Sequence, residues 1–143
     1  MTGVQTCALP IYWVDLPESS RELLPKLDAL AAKFRGRKVI LCGMGGSSLA
    51  PEVIAGTYKK DLFVFDLTDP NYAAQALEQD LKNTVIVVSS KSGSTIETAA
   101  QRAAMEGALI TQGLDPKSHL VLDRKSTRLN SSHMSESRMP SSA

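Results

Sequence analysis

The chain has 143 residues, about one domain's worth, with 43% hydrophobic residues, 22% charged residues and a net charge of +1. That balance gives no electrostatic footprint for nucleic acid, and with no apolar run longer than four residues no bilayer-spanning segment is expected. Cys7 and Cys42 are the two cysteines. They have no framework spacing and no paired histidines, which excludes a disulfide scaffold and a Cys/His zinc site.

Residues 1–16 lack a basic start and an apolar stretch, so no secretory leader is expected and the location reads as cytoplasmic. Ser19 and Glu22 then have the spacing of a capping box, and Leu23, Leu27, Leu30, Ala31 and Phe34 follow at helical period. Pro25 lies too deep for that helix's first turn, so a kink or restart is expected there before Gly36 ends it. Residues 38–42 (KVILC) form a short continuous apolar run, as a buried parallel strand requires. Ser48 is placed to cap a helix over residues 49–55, with Pro51 in its first turn.

The alternation continues. Residues 62–65 read as a second strand, and Asp69-Pro70 as an N-cap and N1 proline opening a helix to about Leu81. Residues 84–89 (TVIVVS) are a third strand. Ser94 and Glu97 form a second capping box, opening a helix whose face is Ile96, Ala100, Ala103, Gly107 and Ile110, with Gly113 at C′. Residues 118–122 are a fourth strand with His119 inside it, where a histidine is read as structural. The β-α-β-α-β-α-β series predicts an α/β three-layer sandwich, a parallel sheet flanked by helices in flavodoxin-like strand order, 2-1-3-4.

Residues 124–143 carry four cations (Arg124, Lys125, Arg128, Arg138) against Glu136, a net +3, and seven of these twenty residues are serine. Their composition reads as a disordered tail. Residues 2–11 and 124–133 also resemble translated sequencing-adapter reads, which implies that 1–11 and 124–143 are non-native or disordered ends and that the domain occupies about 12–123.

Open parallel sheets bind ligands beyond the carboxyl ends of their strands, where the strand order reverses. In a 2-1-3-4 order that crevice lies between the first and third strands. The loops after those strands are Gly43-Met44-Gly45-Gly46-Ser47-Ser48 and Ser89-Ser90-Lys91-Ser92-Gly93-Ser94-Thr95. Each opens a helix, whose N-terminal N–H groups and dipole favour an anion. The glycines admit close approach of backbone to ligand; the second loop adds hydroxyls and one cation, a set suited to a phosphate monoester. The same serines also serve as N-caps, and Lys91 as a solvated lysine. A dinucleotide reading is the rival, since Gly43-x-Gly45-x-x-Ser48 nearly matches G-x-G-x-x-G and Asp66 ends the second strand. It lacks the third glycine and leaves the Ser/Lys loop without a role. The P-loop pattern does not occur.

Gly43-Met-Gly-Gly-Ser-Ser-Leu-Ala-Pro51 and Ser90-Lys-Ser-Gly-Ser-Thr-Ile-Glu-Thr98 together resemble two signatures of the glucose-6-phosphate isomerase family, in its bacterial form, over about residues 13–122. The resemblance implies a sugar isomerase (SIS) domain, here incomplete with about four strands. It implies that Ser90, Lys91, Ser92 and Thr95 hold a sugar phosphate while Gly46 and Ser47 line the sugar side. It further implies interconversion of glucose 6-phosphate and fructose 6-phosphate through a cis-enediol, without metal or organic cofactor, by a homodimeric full-length protein. The family's acid–base groups lie beyond the fourth strand, so no catalytic residue is assigned in this chain; Glu97 reads as a capping residue and Glu52 as a first-turn acid. A lone SIS domain that senses a phosphosugar and regulates a partner is the alternative.

Overall fold

A computed structural model describes residues 16–91 and 93–124; Ser92, the tail expected over 1–11 and all but the first residue of the tail expected over 124–143 lie outside the described residues, and that first residue, Arg124, belongs to a strand instead. The described residues divide into two compact units, one ending at Gly36 and the other beginning at Arg37.

In the first unit, helix α1 (Leu16–Ser19), a 3-10 turn (Arg21–Leu23) and helix α2 (Leu24–Lys33) follow one another. Ser19 is the last residue of α1, so the expected capping box does not form. Pro25 instead marks a restart, in the first turn of α2, where the missing N–H has no intrahelical partner to lose.

The second unit is a four-stranded parallel sheet in the order β2-β1-β3-β4, the order the alternation predicts. The strands are β1 (Lys38–Cys42), β2 (Phe63–Phe65), β3 (Thr84–Ser90) and β4 (Leu120–Arg124), joined by α3 (Gly46–Thr57), α4 (Pro70–Leu77) and α5 (Ile96–Thr111). Cys42 pairs with Phe65 on one side and Val88 on the other, and Ser90 pairs with Arg124. The fourth strand thus starts two residues later than its apolar run suggests. His119 stands before it, buried, with its Nδ1–H donating to the Thr84 carbonyl at 2.9 Å, a structural role.

Alternate strand residues fill a core under α4 and α5: Ile40, Cys42, Phe65, Ile86 and Val88 meet Ala76, Leu81, Met105 and Leu109. Leu41, Val64 and Val85, which alternate with them, are also buried, as a sheet flanked by helices requires. Tyr72 of α4 stacks on Phe63 at 5.4 Å and donates its hydroxyl to the Val64 carbonyl. Asp69 caps α4 as its sequence requires: its Oδ1 accepts from the N–H groups of Asn71 and Tyr72 at 2.9 and 3.0 Å. That helix ends at Leu77, and Leu81 opens a 3-10 turn into β3.

Helix α5 presents a different face from the expected one. Thr98, Gln101, Met105 and Leu109 are buried, whereas Ile96 and Ile110 are 76% and 64% exposed and Ala100, Ala103 and Gly107 are exposed with them. Met105 and Leu109 gain more from burial than alanines do, so they fix the helix's rotation. Among the described residues no helix is long and apolar enough to cross a membrane.

Candidate functional site

The parallel register carries β1 and β3 to the same level, and their loops leave the sheet side by side. Gly43 follows β1 with its N–H directed to the Phe65 carbonyl at 3.4 Å. A Cβ at Gly43 would stand 3.0 Å from the Ser89 carbonyl oxygen, so only glycine lets the first loop lie against the end of β3. Gly45 then takes φ 58° and ψ −124° and serves as the N-cap of α3. The helix therefore begins at Gly46, three residues before the expected start. Ser48 lies in its first turn rather than capping it, Pro51 is inside the helix, and Glu52 is beyond the first turn.

Ser48 is almost fully buried, and its hydroxyl reaches the Gly45 carbonyl at 2.9 Å and Asp66 Oδ2 at 3.3 Å. The first turn of α3 is closed on itself: the N–H of Ser47 donates to the Met44 carbonyl, and those of Ser48 and Leu49 to the Gly45 carbonyl. With the Asp66 carboxylate beside it, this helix start is a poor place for a second anion. Asp66 and Glu52 also act on Tyr72, whose phenol is raised above its ordinary value first by burial and then by these two carboxylates.

The second loop is organised by Ser90. Its hydroxyl accepts from the Gly93 N–H at 3.0 Å and donates to Thr95 Oγ1 at 3.3 Å. Gly93 turns the chain at φ 71°. Thr95, not Ser94, is the N-cap of α5, which corrects the expected capping box; Glu97 lies in the first turn. The N–H groups of Ile96, Glu97 and Thr98 precede the first intrahelical bond, from Ala99 N–H to the Thr95 carbonyl at 3.0 Å. Lys91 is exposed on this loop. Ser89 donates to Asp123 Oδ2 at 3.0 Å, tying the base of the loop to β4.

Of the sequence-predicted residues, the fold places Ser90 at the end of β3, Lys91 just after it and Thr95 at the N-cap of α5, and puts Gly46 and Ser47 in the first turn of α3; Ser92 is outside the described residues. A pocket of about 270 Å³ opens beside the second loop, lined by Ser90, Gly93, Thr95, Thr98, Arg102 and Asp123 among others. It lies toward β4, and none of Gly43 to Ser48 lines it. Arg102 is held at its rim by Glu106, Nε to Oε1 at 2.7 Å. Two polar residues missed from the sequence lie on the inner face of α5. Thr98 Oγ1 and Gln101 Oε1 are buried without a hydrogen-bond partner among the described residues, and Gln101 Nε2 reaches Met44 Sδ of the first loop at 3.5 Å. Their signal is the 98/101/105/109 period, which the polar side chains disguise.

No family model matches the chain. The glucose-6-phosphate isomerase of Chlamydia trachomatis serovar A is 33% identical over 135 residues, 84% of this chain and 25% of that protein. The crystal structure of a glucose-6-phosphate isomerase from Chlamydia trachomatis D/UW-3/Cx aligns with a TM-score of 0.67 at 31% identity, covering 76% of this chain and 22% of that one. The chain belongs to the glucose-6-phosphate isomerase family. The enzyme of that name from Geobacter sulfurreducens is 31% identical over 77% of this chain and 26% of its own length. The chain thus spans about a quarter of the length of these two isomerases. A second crystal structure, of a hypothetical protein from Thermus thermophilus, aligns with a TM-score of 0.68 at 26% identity, covering 82% of this chain and 30% of that one.

Proposed function

We propose that this chain supplies the sugar-phosphate-binding loops of an aldose–ketose isomerase acting on glucose 6-phosphate and fructose 6-phosphate. Ser90, Lys91, Ser92 and Thr95 hold the phosphate, and Gly46 and Ser47 line the sugar side. The observation that carries this reading is the contrast between two adjacent helix starts. At α3 the N–H groups of Ser47, Ser48 and Leu49 are taken by the turn and Asp66 stands beside them; at α5 the first-turn donors lie ahead of the first intrahelical bond, next to a hydroxyl-rich loop and Lys91. A dianion is favoured at the second and disfavoured at the first, which orients a phosphosugar with its phosphate on the β3–α5 loop. Anchoring that remote end fixes the reacting carbons for acid–base groups supplied from elsewhere in the whole protein.

The test is a titration of the 143-residue chain and two variants with glucose 6-phosphate and with a nicotinamide dinucleotide. A hydrogen bond to a charged group is worth about 1.5–3 kcal/mol. Lys91→Ala should therefore weaken glucose 6-phosphate by about 10- to 100-fold. Asp66→Ala should not create or abolish dinucleotide binding. Unchanged affinity in Lys91→Ala, or dinucleotide binding lost in Asp66→Ala, contradicts the assignment.

A further inference from the structure

Gln101 is 3% exposed and sits in the second turn of α5, the helix that the candidate phosphate loop opens. Its Nε2 donates to the sulfur of Met44, at the tip of the glycine loop after β1, at 3.5 Å. A thioether is a weak acceptor, and Oε1 has no partner among the described residues. A buried amide so poorly satisfied is a costly way to fill space; leucine at this position, flanked on the same face by Met105 and Leu109, would fill it without loss. What distinguishes the amide from leucine is its contact with the loop.

We infer that Gln101 is a positioning residue, a latch that fastens the Gly43–Ser47 loop to α5 so that one helix sets the geometry of both loops. The inference rests on the phosphosugar reading above for its functional meaning, since it makes the sugar-side loop follow the phosphate-side helix. Gly45 and Gly46 give that loop little side-chain anchorage of its own: both are exposed, and a Cβ at either would meet nothing within 4 Å. Ser48 and Asp66 hold the helix that follows, and Gly43 abuts β3, so Met44 is the point at which the intervening turn is held from below.

Amide hydrogen exchange on the full chain, resolved by residue, tests the latch without ligand. Gln101→Leu should raise the exchange of the Ser47, Ser48 and Leu49 amides, which donate to the Met44 and Gly45 carbonyls, by about 5- to 10-fold while core amides of β3 keep their protection. Met44→Leu, which removes the sulfur and keeps the bulk, should give the same change, and the double variant no more, because both remove one contact. Unchanged loop exchange in both single variants, or additive effects in the double, overturns the latch; if Gln101→Leu does not fold, Met44→Leu alone decides. Calorimetry supplies the functional arm. Gln101→Leu should weaken glucose 6-phosphate by about 5-fold and leave inorganic phosphate unchanged, because phosphate alone needs only the β3–α5 loop. Equal loss for both ligands overturns the positioning role. A parent chain that binds neither ligand refutes the phosphosugar reading and leaves the exchange result to judge the latch.

Discussion

Gly43 is the residue on which the juxtaposition of the two loops depends, and replacing it with alanine measures that dependence. The added Cβ would lie 3.0 Å from the Ser89 carbonyl oxygen and 3.3 Å from Ser47 Cβ. Carbon contacts are optimal at about 3.5–4.0 Å, so both neighbours must retreat. Ser89 O is backbone of β3 and cannot rotate away as a side chain does; the ends of β1 and β3 must part instead. Overpacking of this kind costs about 1–3 kcal/mol. Gly46→Ala is the matched control. Its Cβ would meet nothing within 4 Å, and Gly46 is the first residue of α3 without a positive φ. Losing a glycine there stabilises by about 0.4–1 kcal/mol through the unfolded state. Urea unfolding of the two variants should therefore show midpoints on opposite sides of the parent's, with unchanged slopes. A Gly43→Ala chain as stable as Gly46→Ala would refute the close approach of the two loops.

Three further outcomes follow from the same geometry. Asp69→Ala removes the acceptor for two N–H groups of α4 and should cost about 0.5–2 kcal/mol in the same urea assay, with Asp69→Asn retaining most of it. Burial pushes the Cys42 thiol from 9.0 up to about 12. Because the fold favours the neutral thiol, its contribution is complete below pH 9 and is lost as pH rises toward 12. Tyr72 shifts in the same direction. Stability measured across that range should therefore fall, and Cys42→Ala should flatten the slope; an identical slope in the variant would contradict the burial. Finally, the purified 143-residue chain should not convert fructose 6-phosphate above a no-enzyme control, since no acid–base residue of the reaction is assigned within it; measurable turnover would place catalytic groups here.

The sheet was legible because its strands are continuous apolar runs between glycine- and proline-marked turns. Asp69-Pro70, Pro25 and Gly113 were legible too: each has a backbone role that few residues fill, and Gly113 does adopt φ 71° just past the end of α5. The helix starts at the site were not. Gly45 caps α3 through a backbone conformation that leaves no side-chain signature, so Ser48 drew the reading three residues too far. At α5 two serine- and threonine-type caps stand side by side, and the backbone selects Thr95. The face of α5 was misread because alanine and glycine satisfy either side of a helix, whereas the buried side mixes Thr98 and Gln101 with Met105 and Leu109. The register of β4 was hidden by the 3-10 turn that Asp115 organises, its carboxylate accepting from Ser118 Oγ and Lys117 N–H. Those two bonds, the Ser118 one foremost, hold the Asp115 carboxyl below its ordinary range.

The proposed function requires the two loops to form one phosphosugar site with its phosphate end on α5. Chemical-shift mapping of the isotope-labelled 143-residue chain during titration with glucose 6-phosphate, beside a titration with inorganic phosphate, tests it most directly. Glucose 6-phosphate should shift amides of residues 43–48 and 89–95 together and saturably, and inorganic phosphate those of 89–95 alone. Shifts confined to residues 43–48, or saturation at neither loop with the sheet intact, would contradict the account.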